Sequence, residues 1–328
     1  MKKLHNILAV TAIALTFTAC SSDNDNPANN DGKEYPISLS VGIGDLSVVT
    51  RAGNTTPVKT GSLGLYITSN GGKTLLDKYL CNNAKFDAST DENQNTTWGG
   101  PTYYWASDDA TIEYIAYMPY NSKNLNLGTN SETGANYYTI DWNVAPTTTS
   151  EGGNSTTITT ENTDPDLLWQ TASAQNSASN HSVAITLGHA CSKLTVNVSK
   201  LGSEIESTTE VSKIEINGMA ATGTFKFTAA GEWSNLGVAT TYAMNKWTTA
   251  ATGAKYTFDA ILIPQTAAAS LSITLSTGAV YQLAIPEQAY AMGKNYTITI
   301  QVGQDKVELG NITQTDWESV TGGDLTAQ

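Results

Sequence analysis

The chain has 328 residues, with 17 Lys and Arg against 30 Asp and Glu, a formal charge of −13. Only 14% of its residues are charged and 40% are apolar, including 15 Tyr and 7 Trp, so there is enough material for buried cores. The acidic balance opposes binding to a phosphate backbone and excludes nucleic acid as a partner. Three His and three Cys leave little for a metal centre or thiol catalysis, and no cofactor is expected.

The first elements are export signals. Met1-Lys2-Lys3 is followed by an apolar run over 7–19 (ILAVTAIALTFTA). The run is shorter than the about 20 residues a spanning helix needs, but it suits a signal-peptide core, so 1–19 is read as a signal peptide. It ends in Phe17-Thr18-Ala19-Cys20, which looks like a lipobox: the Cys20 thiol is diacylated and the chain is cut before it. Ordinary signal cleavage with an unmodified Cys20 is the plainer alternative. Multiple acyl chains give stable anchoring, because each buried CH₂ contributes about 0.8 kcal/mol. Residues 20–35 form a polar tether with almost nothing to bury. Asp23-Asn24-Asp25 lacks the Gly and the closing Glu of a calcium loop. Acidic residues just after a lipidated Cys resemble a surface-export signal, so the outer face of the outer membrane is the expected location.

Next comes one amphipathic strand. Ile37, Leu39, Val41 and Ile43 alternate with Ser38, Ser40, Gly42 and Gly44, the period of a strand with one apolar face. Arg51 follows, the sole arginine in the chain, and then a turn signal at Gly53-Asn54-Thr55-Thr56-Pro57. A chance surface Arg is the plain reading. Its position favours another: an arginine-specific protease cutting between Arg51 and Ala52 would sever the removable strand 36–51 from everything after it.

From residue 58 onward the chain reads as short strands broken by Gly, Asn, Pro and Asp, among them 63–68, 111–117, 183–187, 193–199, 256–263, 270–275 and 295–302. Thr/Ser/Asn-rich stretches at 143–163 and 171–182 read as loops. Many alternating strands without helical patterns predict an all-β protein of β-sandwiches. The boundary is placed near 182, giving an N-terminal domain over 36–182 and a C-terminal domain over 183–328.

VTRA at 49–52, WGGPTYYWA at 98–106, AYMPYN at 116–121, DLLWQTA at 166–172 and LGHACSKLTVNV at 187–198, in this order, resemble the fimbrillin family, the lipoprotein pilins of Bacteroidales-type bacteria. ILIPQ at 261–265, YQLAIP at 281–286, GKNYTITIQV at 293–302 and ITQTDWES at 312–319 continue the series. The resemblance implies two transthyretin-like β-sandwich domains, maturation after Arg51, and head-to-tail assembly with other copies or related pilin subunits into an adhesive pilus. In that scheme loss of the first strand opens a hydrophobic groove that another subunit's C-terminal strand fills. The donor is sought within 295–318, where Tyr296, Ile298, Ile300 and Val302 alternate and Val307, Leu309 and Ile312 continue the apolar face.

Other constellations are read against plainer explanations. His189 and Cys191 lie at i and i+2 and share a strand face, which suits a buried structural pair better than a catalytic dyad. A Cys81–Cys191 disulfide has nothing in the sequence to bring its halves together. Asp108-Asp109 and Asp164/Asp166 read as solvated loop charge rather than glycosidase carboxylates. No nucleophile elbow, phosphate loop or zinc-protease motif is present in the sequence, so no enzyme is expected. The rival function is glycan capture by exposed aromatics, with Trp98, Tyr103, Tyr104 and Trp105 as the stacking surface.

Overall fold

A computed structural model describes residues 34–44, 56–73, 78–123, 125–129, 136–145, 148–151, 155–158, 166–303 and 306–317. Among the described residues there are strands and turns but no helix, so the all-β expectation holds. Period-2 alternation is what drives this. In Ser62–Asn70 the side chains of Leu63, Leu65 and Ile67 enter one core while Tyr66, between them, enters another. Thr111–Met118 does the same: Ile112, Tyr114, Ala116 and Met118 face the first core, Ile115 and Tyr117 the second. An apolar run on both faces is the signature of a strand buried on both sides.

The first core lies inside an eight-stranded sheet with spatial order Thr56–Pro57, Ser38–Ile43, Ser182–His189, Leu168–Gln175, Thr111–Met118, Ser62–Asn70, Cys81–Thr90, Thr96–Gly99. The sheet curls until its last strand returns beside Ser38–Ile43. Its other face is covered by a four-stranded sheet in which Asn136–Asn143 pairs antiparallel with Thr222–Phe227, Ile140 opposite Phe225. Trp169 meets Phe225 there edge-on, with ring centroids 5.1 Å apart. The same buried cluster runs on into the second sandwich. There the sheet carrying Ser192–Leu201, Lys294–Val302 and Val307–Asp316 shares a core with the sheet carrying Val211–Ala220, Gln265–Leu275 and Val280–Tyr290.

These pairings differ from the boundary expected between 182 and 183. Ser182–His189 belongs to the first sheet, and the chain changes sheets only between His189 and Ser192. Asn136–Asn143 and Thr222–Phe227 lie on opposite sides of the expected boundary yet form one ladder. The physical reason is partner choice. Val183, Ile185 and Leu187 are fully buried against the first core, and the hydrophobic pattern of a strand does not say which sheet it joins.

Candidate assembly site

Ser38–Ile43 lies parallel to Ser182–His189, in a register that sets Leu39, Val41 and Ile43 opposite Val183, Ile185 and Leu187. Val41 and Ile43 are buried, and Ile37 and Leu39 are half-buried against the same core. Ser38 and Ser40 point to solvent, as the alternation in the sequence has them, while Gly42 is buried between Val41 and Ile43. At the strand's start the Ile37 N–H donates to the Tyr103 carbonyl at 2.8 Å and the Ser38 N–H to His181 at 3.3 Å. At its end the Gly44 N–H donates to the Leu187 carbonyl at 2.9 Å. Tyr35, just ahead, tilts over the His181 ring at 4.6 Å, and its hydroxyl bonds to Asp108, which raises the phenol's pKa.

Two features set this strand apart. Among the described residues its outer edge is laddered by the short Thr56–Pro57, opposite Gly42 and Ile43, with Val58 N–H donating to the Val41 carbonyl at 3.1 Å. Its inner neighbour depends on it: six residues of that neighbour, Ser182 to Leu187, pair with the first strand, whereas only Gly188 and His189 pair with Trp169 and Leu168 on the other side. Removing Ser38–Ile43 would therefore bare a row of backbone donors and acceptors together with the apolar floor of Leu63, Leu65, Ile112, Val183 and Ile185. Full burial of an aliphatic side chain is worth about 1.5–3 kcal/mol; two buried and two half-buried side chains give roughly 5–9 kcal/mol. That is comparable to the about 5–15 kcal/mol by which a typical fold is stable. The vacancy is costly unless refilled.

A family model described as fimbrillin-like matches residues 50–317 of the chain. The chain belongs to the fimbrillin-like family. The match begins at Thr50, so Ser38–Ile43 precedes it. No functionally curated protein matches the chain. Among solved structures it is similar to a proposed cell adhesion protein of Bacteroides uniformis, with TM-score 0.59 and 17% identity, covering 88% of this chain and 100% of that one. A proposed cell adhesion protein of Bacteroides ovatus gives TM-score 0.53 and 16% identity, covering 88% and 99%. A fimbrial protein of Bacteroides vulgatus gives TM-score 0.51 and 17% identity, covering 87% and 100%. At such identities the likeness shows a shared fold. The family supports the role of a fimbrial subunit at the cell surface.

The fimbrillin's other predicted residues fall as follows. Cys20, Arg51 and Ala52 lie outside the described residues. Tyr296, Ile298, Ile300 and Val302 sit on Lys294–Val302, which is paired on both edges, parallel to Ser192–Leu201 and antiparallel to Val307–Asp316. All four are buried in the second core. A strand laddered on both edges cannot leave without emptying its own sandwich. Among the described residues the strand beside it is laddered on one edge only. Val307–Asp316 is mostly exposed, with Val307, Leu309 and Ile312 half-buried on the core.

The rival glycan surface is not built. Trp98 and Tyr103 pack against the first core. Trp105 is buried, its indole N–H donating to the His181 carbonyl at 3.0 Å. Tyr104 is half-buried and carries the Lys78 ammonium 5.7 Å from its ring centre. None of the four is exposed. Cys81 and Cys191 are free and buried in different cores, so they do not pair. Burial pushes the Cys81 thiol up to about 12, the opposite of an activated nucleophile.

One arrangement escaped the sequence. His189 Nδ1 lies 2.5 Å from Asp166 Oδ2, both groups about nine-tenths buried. On its face the imidazole carries the indole of Trp317, with centroids 4.0 Å apart and planes within 8°. The three residues are far apart in the chain, and no local pattern joins them.

Proposed function

We propose that the protein is exported as a lipoprotein through Cys20 and held at the outer membrane, then activated by an arginine-specific protease cutting after Arg51. The cut frees Ser38–Ile43, and the vacancy along Ser182–Leu187 is refilled by an edge strand of another copy or a related subunit. In this reading the donor is Val307–Asp316 rather than Tyr296–Val302. The incoming strand restores both ladder and core, as in β-augmentation. Because acceptor and donor are different surfaces, the contact is head-to-tail and propagates as a filament, through which adhesion acts.

The observation that carries this reading is the dependence of Ser182–Leu187 on Ser38–Ile43, which lies ahead of the only arginine in the sequence. The test is treatment of purified full-length precursor with an arginine-specific protease, followed by gel analysis without boiling. Denaturant-resistant ladders should form from the cut chain and be absent for Arg51→Ala. Ladders from uncut Arg51→Ala would overturn it.

A further inference from the structure

We infer that Trp317 is a latch, seated on His189, that keeps the last strand on its own subunit until the first strand has gone. The inference rests on the proposed function and concerns how donor release is regulated.

Val307–Asp316 is held by eight residue pairs to Lys294–Val302 and by Val307, Leu309 and Ile312, half-buried on the core. Among the described residues it is laddered on one edge only, and most of its side chains are exposed. Its outgoing end, by contrast, is fixed in several ways. The Trp317 indole stacks on His189, its backbone N–H donates to the Gly293 carbonyl at 2.9 Å, and the Lys193 ammonium lies 5.7 Å from its ring centre. Asp316, the residue before, ion-pairs with Lys294. The Gly293 N–H in turn donates to the Cys191 carbonyl at 2.8 Å, tying the turn to the same junction. Asp166 fixes the His189 ring that receives the indole.

The seat belongs to the strand on which the first strand lies. His189 ends Ser182–His189, whose six preceding pairs are with Ser38–Ile43 and whose hold on the neighbouring strand is two residues long. Withdrawal of the first strand strips that ladder and the apolar neighbours of Val183, Ile185 and Leu187. A stack of two nearly coplanar rings tolerates little displacement of either partner, so loosening this strand weakens the seat. Donor release is thereby coupled to acceptor opening, and by linkage the coupling is reciprocal. A subunit that still holds its own first strand also withholds its last.

The test is hydrogen exchange on full-length protein, following segments 306–317 and 35–44, with 256–262 as an internal control. In the uncut chain Trp317→Ala should speed exchange of both test segments by about fivefold or more, the low end of ordinary coupling. The control should not change, and Trp317→Phe, which retains a stacking ring, should restore slow exchange. In wild type cut after Arg51, freed of its first strand and kept monomeric by dilution, segment 306–317 should exchange faster by a similar factor. Unchanged exchange of 35–44 in uncut Trp317→Ala overturns the latch, as does equal exchange of 306–317 before and after cutting. The first of these arms needs no protease. A chain that is never cut, or never assembles once cut, instead removes the proposed function.

Discussion

Ile43→Ala should weaken the precursor and leave the filament untouched. Ile43 is 6% exposed, lies opposite Leu187 and faces the first core. Truncating a buried Ile to Ala costs about 2–5 kcal/mol in lost transfer energy and residual cavity. Urea unfolding of full-length Arg51→Ala, which stays uncut, supplies the reference. With a slope of about 1–3 kcal/mol per molar, adding Ile43→Ala should lower the midpoint by roughly 1 M or more. The same substitution in a cleavable chain leaves with the first strand, so its filaments should dissociate at the same urea concentration as wild type. Ile185→Ala, on the strand that stays, should weaken both precursor and filament. A filament destabilised by Ile43→Ala would show that residue 43 remains in the assembled subunit and would refute the reasoning.

Three further outcomes follow from the same geometry. Arg51→Ala should accumulate as membrane-held, unassembled precursor, detectable by fractionation and immunoblot. Tyr117 is buried and its hydroxyl donates to Asn83 Oδ1 at 2.7 Å, so Tyr117→Phe should cost about 1–3 kcal/mol in urea unfolding by taking this donor from the buried Asn83 Oδ1. Stability should fall as pH rises from about 9 toward 12. Burial raises Cys81 from 9.0, and Tyr66 and Tyr114 from 10.0, to about 12 in the fold. The unfolded chain therefore loses these protons first and is favoured across that window, while below it the contribution is fully retained. Urea midpoints at pH 8 and pH 11 measure the difference, and an equal or higher midpoint at pH 11 would contradict it.

The first strand was legible because Ile37, Leu39, Val41 and Ile43 form a clean two-residue period beside the single Arg51. Its partner was not. Ser182–His189 lies far along the chain and pairs in parallel, and no local pattern encodes a ladder between distant segments. Which sheet Ser182–His189 joins was not legible for the same reason. The donor shows a different limit. Tyr296 to Val302 alternates strongly because it is a central strand of its own core, and period alone cannot separate an inward-facing core strand from one made for another subunit. The outer strand Val307–Asp316 alternates less well because solvent covers much of it. The aromatics from Trp98 to Trp105 suggest a binding surface in the sequence, yet tertiary packing turns Trp98, Tyr103 and Trp105 onto the first core and places Lys78 beside Tyr104. The Asp166–His189–Trp317 arrangement depends entirely on tertiary packing.

The most direct measurement is N-terminal sequencing of subunits recovered from purified surface filaments. The account predicts chains beginning at Ala52, with Ser38–Ile43 absent. Filament subunits that still carry residues 36–51, blocked at an acylated Cys20, would contradict it.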